Sequence, residues 1–157
     1  MRKDIEIREV PGAEERAEIC ESILRALPEW FAFEPPILDY ARQARDLPVF
    51  AAYDGGEAVG FLAVKQHTPQ AWEVCVMGIQ KSHHRMGIGR ELMRRAACLA
   101  KERGAKYLTV KTVAELSPDE GYARTRAFYA AVGFVPLEVF PLYWDRDNPC
   151  LYSVMAL

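Results

Sequence analysis

Apolar and polar positions alternate across Asp4 to Val10 (DIEIREV), the period of a strand with one buried face. From Gly12 the period lengthens. Ala13, Ala17, Ile19, Cys20, Ile23, Leu24 and Leu27 recur near helical spacing, which predicts an amphipathic helix over GAEERAEICESILRAL. PEWFAFEPP interrupts it as an aromatic loop closed by two prolines, and ILDYARQARDL predicts a short second helix. PVFAAYDGGEAVGFLAVKQHT is two apolar runs around Asp54-Gly55-Gly56, a hairpin signal. A further strand covers Trp72 to Ile79, with Gly78 near its end. A long helix follows from Gly87 to Arg103 on a stripe of Ile88, Leu92, Ala96, Leu99 and Ala100, with Gly104 just past it. AKYLTVKTV reads as a buried strand, PDEGYARTRAFYAAV as a helix stopped by Gly133, and FVPLEVF and CLYSVMAL as the last strands. The order β-α-α-β-β-β-α-β-α-β-β predicts an α/β fold: a mixed, mostly antiparallel central sheet flanked by helices on both faces.

At 157 residues the chain is expected to form a single domain over residues 1–157. Half of it is hydrophobic and 27% is charged, as in ordinary soluble domains. A net charge of -2 argues against a protein built to coat nucleic acid. The charge is uneven, however. Residues 1–60 carry thirteen acidic against seven basic side chains, whereas residues 81–106 carry eight Lys/Arg against Glu91 and Glu102. Such a local field attracts an anion, although a solvated helix face would look the same. The four cysteines show neither zinc-ligand spacing nor a disulfide framework. No apolar run approaches the ~20 residues that span a bilayer. The cytoplasm is the expected location, with no membrane association.

The basic region opens with SHHRMGIGRELMRRA, Ser82 to Ala96. Gly87 and Gly89 follow a strand and open a helix. The first turn of a helix leaves N–H groups without intrahelical partners, and the macrodipole adds partial positive charge. Without β-carbons, those glycines let a ligand's oxygens approach the amides, and Arg85 and Arg90 add charge. The structural alternative is a tight strand-to-helix turn that uses glycine for geometry only. A dinucleotide fingerprint would need a third glycine where Leu92 stands, and no Walker G-K-[ST] is present. His67, His83 and His84 lack a metal-ligand set, so no metal is expected. No aromatic residues interleave the basic ones, which disfavours single-stranded nucleic acid.

HRMGIG resembles the acetyl-CoA loop of the GNAT N-acetyltransferase superfamily, [QR]-x-x-G-x-[GA], with His84 at the Gln/Arg position. EVCVMGI resembles that family's fourth strand, and TRAFYAAVGF its following motif, in which a tyrosine precedes G-F. The resemblance implies that His84, Arg85, Met86, Gly87, Ile88, Gly89 and Arg90 hold the pyrophosphate of acetyl-CoA. It implies also that Met77, Gly78 and Ile79 on a bulged strand pair with the pantetheine arm. Tyr129 stands where the family places the tyrosine that meets the coenzyme sulfur, the candidate general acid. Glu73 stands where many members carry a catalytic carboxylate, the candidate base through water. Tyr122 replaces the asparagine often found seven residues before the tyrosine, and that contact is not carried over. Asp119 and Glu120 are candidates for gathering a cationic substrate by charge sign alone. Trp30, Phe31 and Phe33 are either pocket walls or core. The expected activity is acetyl transfer to a primary amine, of a small molecule or a protein, by direct attack in a ternary complex. A non-catalytic acyl-CoA-binding regulator is the alternative. Monomer or homodimer is left open, with CLYSVMAL a candidate interface strand.

Overall fold

The N-terminal alternation forms β1 (Ile5–Glu9), which buries Ile5 and Ile7 and exposes Glu6, Arg8 and Glu9. The computed structural model describes residues 4–115 and 120–157. The helical period then gives α1 (Ala13–Arg25), with Glu14 and Glu15 in its first turn, where the dipole favours negative charge. α2 spans Glu34–Ala44. It starts before both prolines, so Pro35 and Pro36 belong to the helix and do not close the loop. A first turn needs no internal N–H donors, and proline's fixed φ suits it.

β2 (Val49–Asp54) and β3 (Glu57–Gln66) form the expected hairpin. Its two turn residues, Gly55 and Gly56, have φ of 59° and 85°, the left-handed region that the tightest hairpin turns require. After β4 (Ala71–Ile79) come a 3₁₀ turn at Lys81–His83 and α3 (Ile88–Glu102). β5 (Tyr107–Val113), α4 (Glu120–Val132), β6 (Val135–Asp145) and β7 (Asn148–Ala156) complete the chain. The strands lie in a mixed seven-stranded sheet in the order β1-β2-β3-β4-β5-β7-β6. β1 with β2, β2 with β3, β5 with β7, and β6 with β7 are antiparallel; β4 with β5 is parallel.

The chain divides into two compact units, one of Met1–Lys65 with Cys75–Leu99 and one of Gln66–Val74 with Ala100–Leu157. In the first, Ile19, Cys20, Ile23 and Leu24 of α1, with Leu27 just beyond it, join Ile37 and Ala41 of α2, Phe61 of β3 and Val76 of β4 in one core cluster. Gly78 is set by that packing. A β-carbon there would lie 3.0 Å from Leu27 Cδ1 and 3.2 Å from Ile23 Cγ2. The second unit buries Trp72, Val74, Leu108, Val110 and Cys150. There the β4–β5 ladder runs from Ala71 opposite Tyr107 to Val74 opposite Val110 and ends before Met77.

β6 is longer than FVPLEVF suggests, and all eleven of its residues are exposed. It is the last strand in the sheet order. Pro136 and Pro141 remove two backbone donors from it, as suits an edge strand. Pairing with β7 is irregular between Phe140 and Asp145. Asp119 and the Glu120 side chain lie outside the described residues. No helix among the described residues is long and apolar enough to cross a membrane.

Candidate active site

In the first unit, the turn from β4 into α3 is pinned residue by residue. Lys81 pairs with Glu29. His83 Nε2 lies 2.8 Å from Asp54 Oδ2 in the hairpin turn, and its Nδ1 lies 2.7 Å from Ser82 Oγ. His84 Nε2–H donates to the Ile79 carbonyl at 2.7 Å, and its ring meets Trp30 edge-on at 6.2 Å. Thus His84, at the Gln/Arg position of the motif, ties the start of the loop to the end of β4.

Beyond it the backbone alternates in the sign of φ. Arg85 has φ of 62° and Gly87 has φ of 80°, while Met86 between them stays at negative φ. Alternating left- and right-handed residues build the concavities in which backbone N–H groups hold anions. A left-handed arginine is costly, by roughly 1–2 kcal/mol, and persists only where the surroundings impose it. The first intrahelical bond follows at once, from the Glu91 N–H to the Gly87 carbonyl at 3.2 Å. Gly89 is buried, while Arg85 and Arg90 are exposed and have no acidic partner among the described residues. Arg94 and Arg95 are occupied instead by Glu91, whose carboxyl is pulled down to about 2, first by its hydrogen bonds to Arg94. An anion therefore fits this loop: a left-handed turn at Arg85 and Gly87, two uncommitted guanidinium groups, and a helix start behind them.

In the second unit, Glu73 on β4 is buried, at 8% exposure, yet fully partnered. Its Oε2 accepts from Lys111 Nζ at 2.6 Å, and its Oε1 lies 2.6 Å from His67 Nε2. The register explains the first contact. Glu73 stands opposite Thr109 on β5, and Lys111, two residues on, shares that face. Lys111 in turn stands opposite Tyr152 of β7. Its ammonium lies 5.5 Å from the Tyr152 ring and 5.4 Å from the Tyr143 ring, which β6 brings over from its irregular stretch after Pro141. A break in ladder pairing is a common way to re-aim a side chain. Burial acts to lower the Lys111 pKa, but the hydrogen bond and charge of Glu73 outweigh it and hold the ammonium above its ordinary range.

Tyr129 is buried on α4, its ring edge-on to Phe134 at 5.6 Å and tilted against Phe128 at 5.5 Å. Arg126 of α4 donates to the Val113 carbonyl at 2.7 Å, tying the helix to the end of β5. Of the aromatic loop, Trp30 and Phe31 pack against the core cluster of the first unit, and Phe33 is 74% exposed. Neither Lys111 nor the His67–Glu73 bond emerges from motif reading. The available signal was a lone lysine inside the apolar run YLTVKTV. Among the described residues no group of three or more His, Cys, Asp and Glu side chains is placed to hold a metal ion.

Residues 16–134 match the family model described as Acetyltransferase (GNAT) family. A mycothiol acetyltransferase of Corynebacterium glutamicum is 30% identical over 99 residues, which cover 63% of this chain and 32% of that protein. The match thus spans about a third of the length of that curated relative. Among solved structures, a GNAT-family protein of Desulfovibrio desulfuricans superposes with a TM-score of 0.79 at 17% identity, over 97% of this chain and 98% of that one. An aminoglycoside 6'-N-acetyltransferase complexed with coenzyme A gives 0.77 at 19% identity, over 96% of each chain. These two likenesses establish the fold. The family match covers well over half of the sequence and includes the strand, loop and tyrosine helix described above. The chain belongs to the acetyltransferase (GNAT) family.

Proposed function

We propose that the protein transfers an acetyl group from acetyl-CoA to a primary amine by direct attack in a ternary complex. The observation that carries the reading is the left-handed pair Arg85 and Gly87 at the start of α3, a strained turn whose form suits a pyrophosphate. Arg85 and Arg90 supply charge to the same anion, and His84, Met86, Ile88 and Gly89 supply the backbone around it. On β4, Met77, Gly78 and Ile79 lie beyond the end of the β4–β5 ladder, where backbone N–H and C=O groups suit an extended pantetheine arm. When bound, acetyl-CoA supplies the activated acyl group as a thioester.

The chain's own residues then handle two protons. An alkylammonium, with a pKa near 10, must lose one before its nitrogen can attack. Glu73 is the proposed acceptor, directly or through water, and the exposed His67 ring at its Oε1 offers an exit towards solvent. The new N–C bond forms as the C–S bond breaks. Tyr129 is the proposed donor to the departing thiolate. Reference values of about 10 for tyrosine and about 8.5 for a thiol make full transfer slightly uphill, so the contribution is a hydrogen bond to the developing charge.

One observation favours the alternative reading, a binding module without turnover: Glu73 is already neutralised by Lys111. Thiol release from acetyl-CoA over a panel of amines separates the two. Turnover with any amine supports transfer, and binding without turnover supports the module. Tyr129→Phe should lower the rate of the chemical step by roughly 10²–10⁴-fold. Full activity where chemistry limits the rate would remove the general-acid role. Gly89→Glu should abolish coenzyme binding by blocking and repelling the pyrophosphate, and undiminished affinity would overturn the loop assignment.

A further inference from the structure

Resting on that amine-transfer reading, we propose that the cluster around Glu73 selects acceptors that carry a carboxylate beside the amine, amino acids foremost. The ammonium goes to Glu73, the carboxylate to Lys111, and the apolar body against the exposed rings of Tyr143 and Trp144.

Charge balance makes the argument. Glu73 is the acidic member of the cluster, and one of its oxygens is already held by an ammonium at 2.6 Å. Lys111 is fixed there by two tyrosine rings and by the carboxylate, which together hold it as a cation. A simple amine entering as its ammonium would put two cations on one buried carboxylate, with their mutual repulsion poorly screened. An acceptor with its own carboxylate removes that conflict. Acceptor ammonium, Glu73, Lys111 and acceptor carboxylate then alternate in sign, and the existing ion pair gains an opposite charge at each end at no change in net charge. Access follows the same pattern. The Lys111 side chain is 22% exposed against 11% for Glu73, so a carboxylate reaches it from solvent. Glu73 Oε1 is covered by the His67 side chain, itself 43% exposed, which an incoming ammonium can displace. Beside the charges, Tyr143 and Trp144 stand edge-to-face at 5.7 Å and remain 56% and 41% exposed. Core packing does not account for such a pair, whereas a flat or branched apolar side chain would cover it.

The test compares each amino acid with its decarboxylated amine: L-phenylalanine with phenethylamine, and L-lysine with cadaverine. Dissociation constants are measured by calorimetry on the full chain with coenzyme A present, and acetylation is followed in parallel. The amino acid should bind roughly 10- to 100-fold more tightly than its amine, the range of one charge-assisted hydrogen bond. Lys111→Met should bring that ratio close to one, and Lys111→Arg should keep most of it. Equal or weaker binding of the amino acids by the wild-type protein overturns the inference whether or not the variants fold, as does a preference that survives Lys111→Met. Failure to acetylate any amine, with the binding preference intact, would instead count against amine transfer and leave the recognition site standing.

Discussion

Replacing Gly78 by alanine tests whether that residue serves packing. Its β-carbon would sit 3.0 Å from Leu27 Cδ1, 3.2 Å from Ile23 Cγ2 and 3.4 Å from Phe61 Cε1. Carbon atoms rest at about 3.5–4.0 Å, so the first two contacts fall inside the repulsive wall. Leu27 Cδ1 ends a flexible side chain, but Ile23 Cγ2 branches directly from the β-carbon of a residue in α1 and yields little. The strain therefore belongs near the middle of the ~1–3 kcal/mol typical of overpacking. Alanine recovers roughly 0.5–1 kcal/mol in a strand by restricting the unfolded chain. The expected net result is a loss of about 1 kcal/mol, or ~0.3–1 M in the urea midpoint at slopes of about 1–3 kcal/mol/M. A second variant sharpens the test. Leu27→Ala alone should cost about 2–5 kcal/mol as a cavity mutation, and less in the Gly78→Ala background, where the new methyl occupies part of the space. The two changes should couple by about 1 kcal/mol. Wild-type stability for Gly78→Ala, or strict additivity with Leu27→Ala, would refute the packing account.

Glu91 has its pKa depressed to about 2, chiefly by Arg94, so its contribution to stability is complete above the ordinary carboxylate pKa near 4.5 and disappears as pH falls towards 2. Glu91→Gln should lose about 0.5–1 kcal/mol at pH 7, the scale of a well-formed surface pair, and match wild type near pH 2 in denaturant titrations. Exposed Cys98 should react first with a thiol reagent, and Cys20, fully buried and pushed up to about 12 by burial before the smaller effects of Cys75 and Glu21, among the last; the opposite order would contradict the α1 packing. Arg85→Gly should be more stable than Arg85→Ala by about 1 kcal/mol, because glycine relieves the left-handed φ, while both bind coenzyme A alike if the side chain contributes charge only. Equal stability of the two variants would mean that the turn is not held left-handed in solution.

What was legible in the sequence is what short-range patterns encode. The strand and helix periods place β1, α1, β4, α3 and β5 to within a residue or two, and the glycines at 55, 56, 104 and 133 all have the positive φ expected of turns and helix ends. The anion loop is local as well, since G-x-G and the helix start lie within a few residues. Two misreadings came from proline. Pro35 and Pro36 open α2 and do not close a loop, and β6 runs on through Pro141, where FVPLEVF ended the strand, because an edge strand tolerates a missing donor. The environment of Glu73 was not legible because it depends on pairing. Lys111 is 38 residues away and meets Glu73 through the β4–β5 register, and Tyr143 joins them through an irregularity in β6. Likewise, the Asp54–His83 bond that pins the loop spans 29 residues.

The basic stretch from Lys81 to Lys106 looked like one field and is not. Lys81 is paired with Glu29, and Arg94 and Arg95 with Glu91, one turn into α3. Arg103 lies over the Trp72 ring at 5.9 Å. The charges of Lys81, Arg94 and Arg95, compensated at such short range, contribute little beyond a Debye length of about 8–10 Å. What remains for an anion at the loop is Arg85 and Arg90, which flank the glycine pair, together with the amides between them. The proposed selection of an anionic ligand at this loop therefore rests on backbone geometry first and on two side chains second. At Glu73 the order is reversed. There the backbone only sets the register, and the proposed recognition depends on which charges the side chains have already matched with each other.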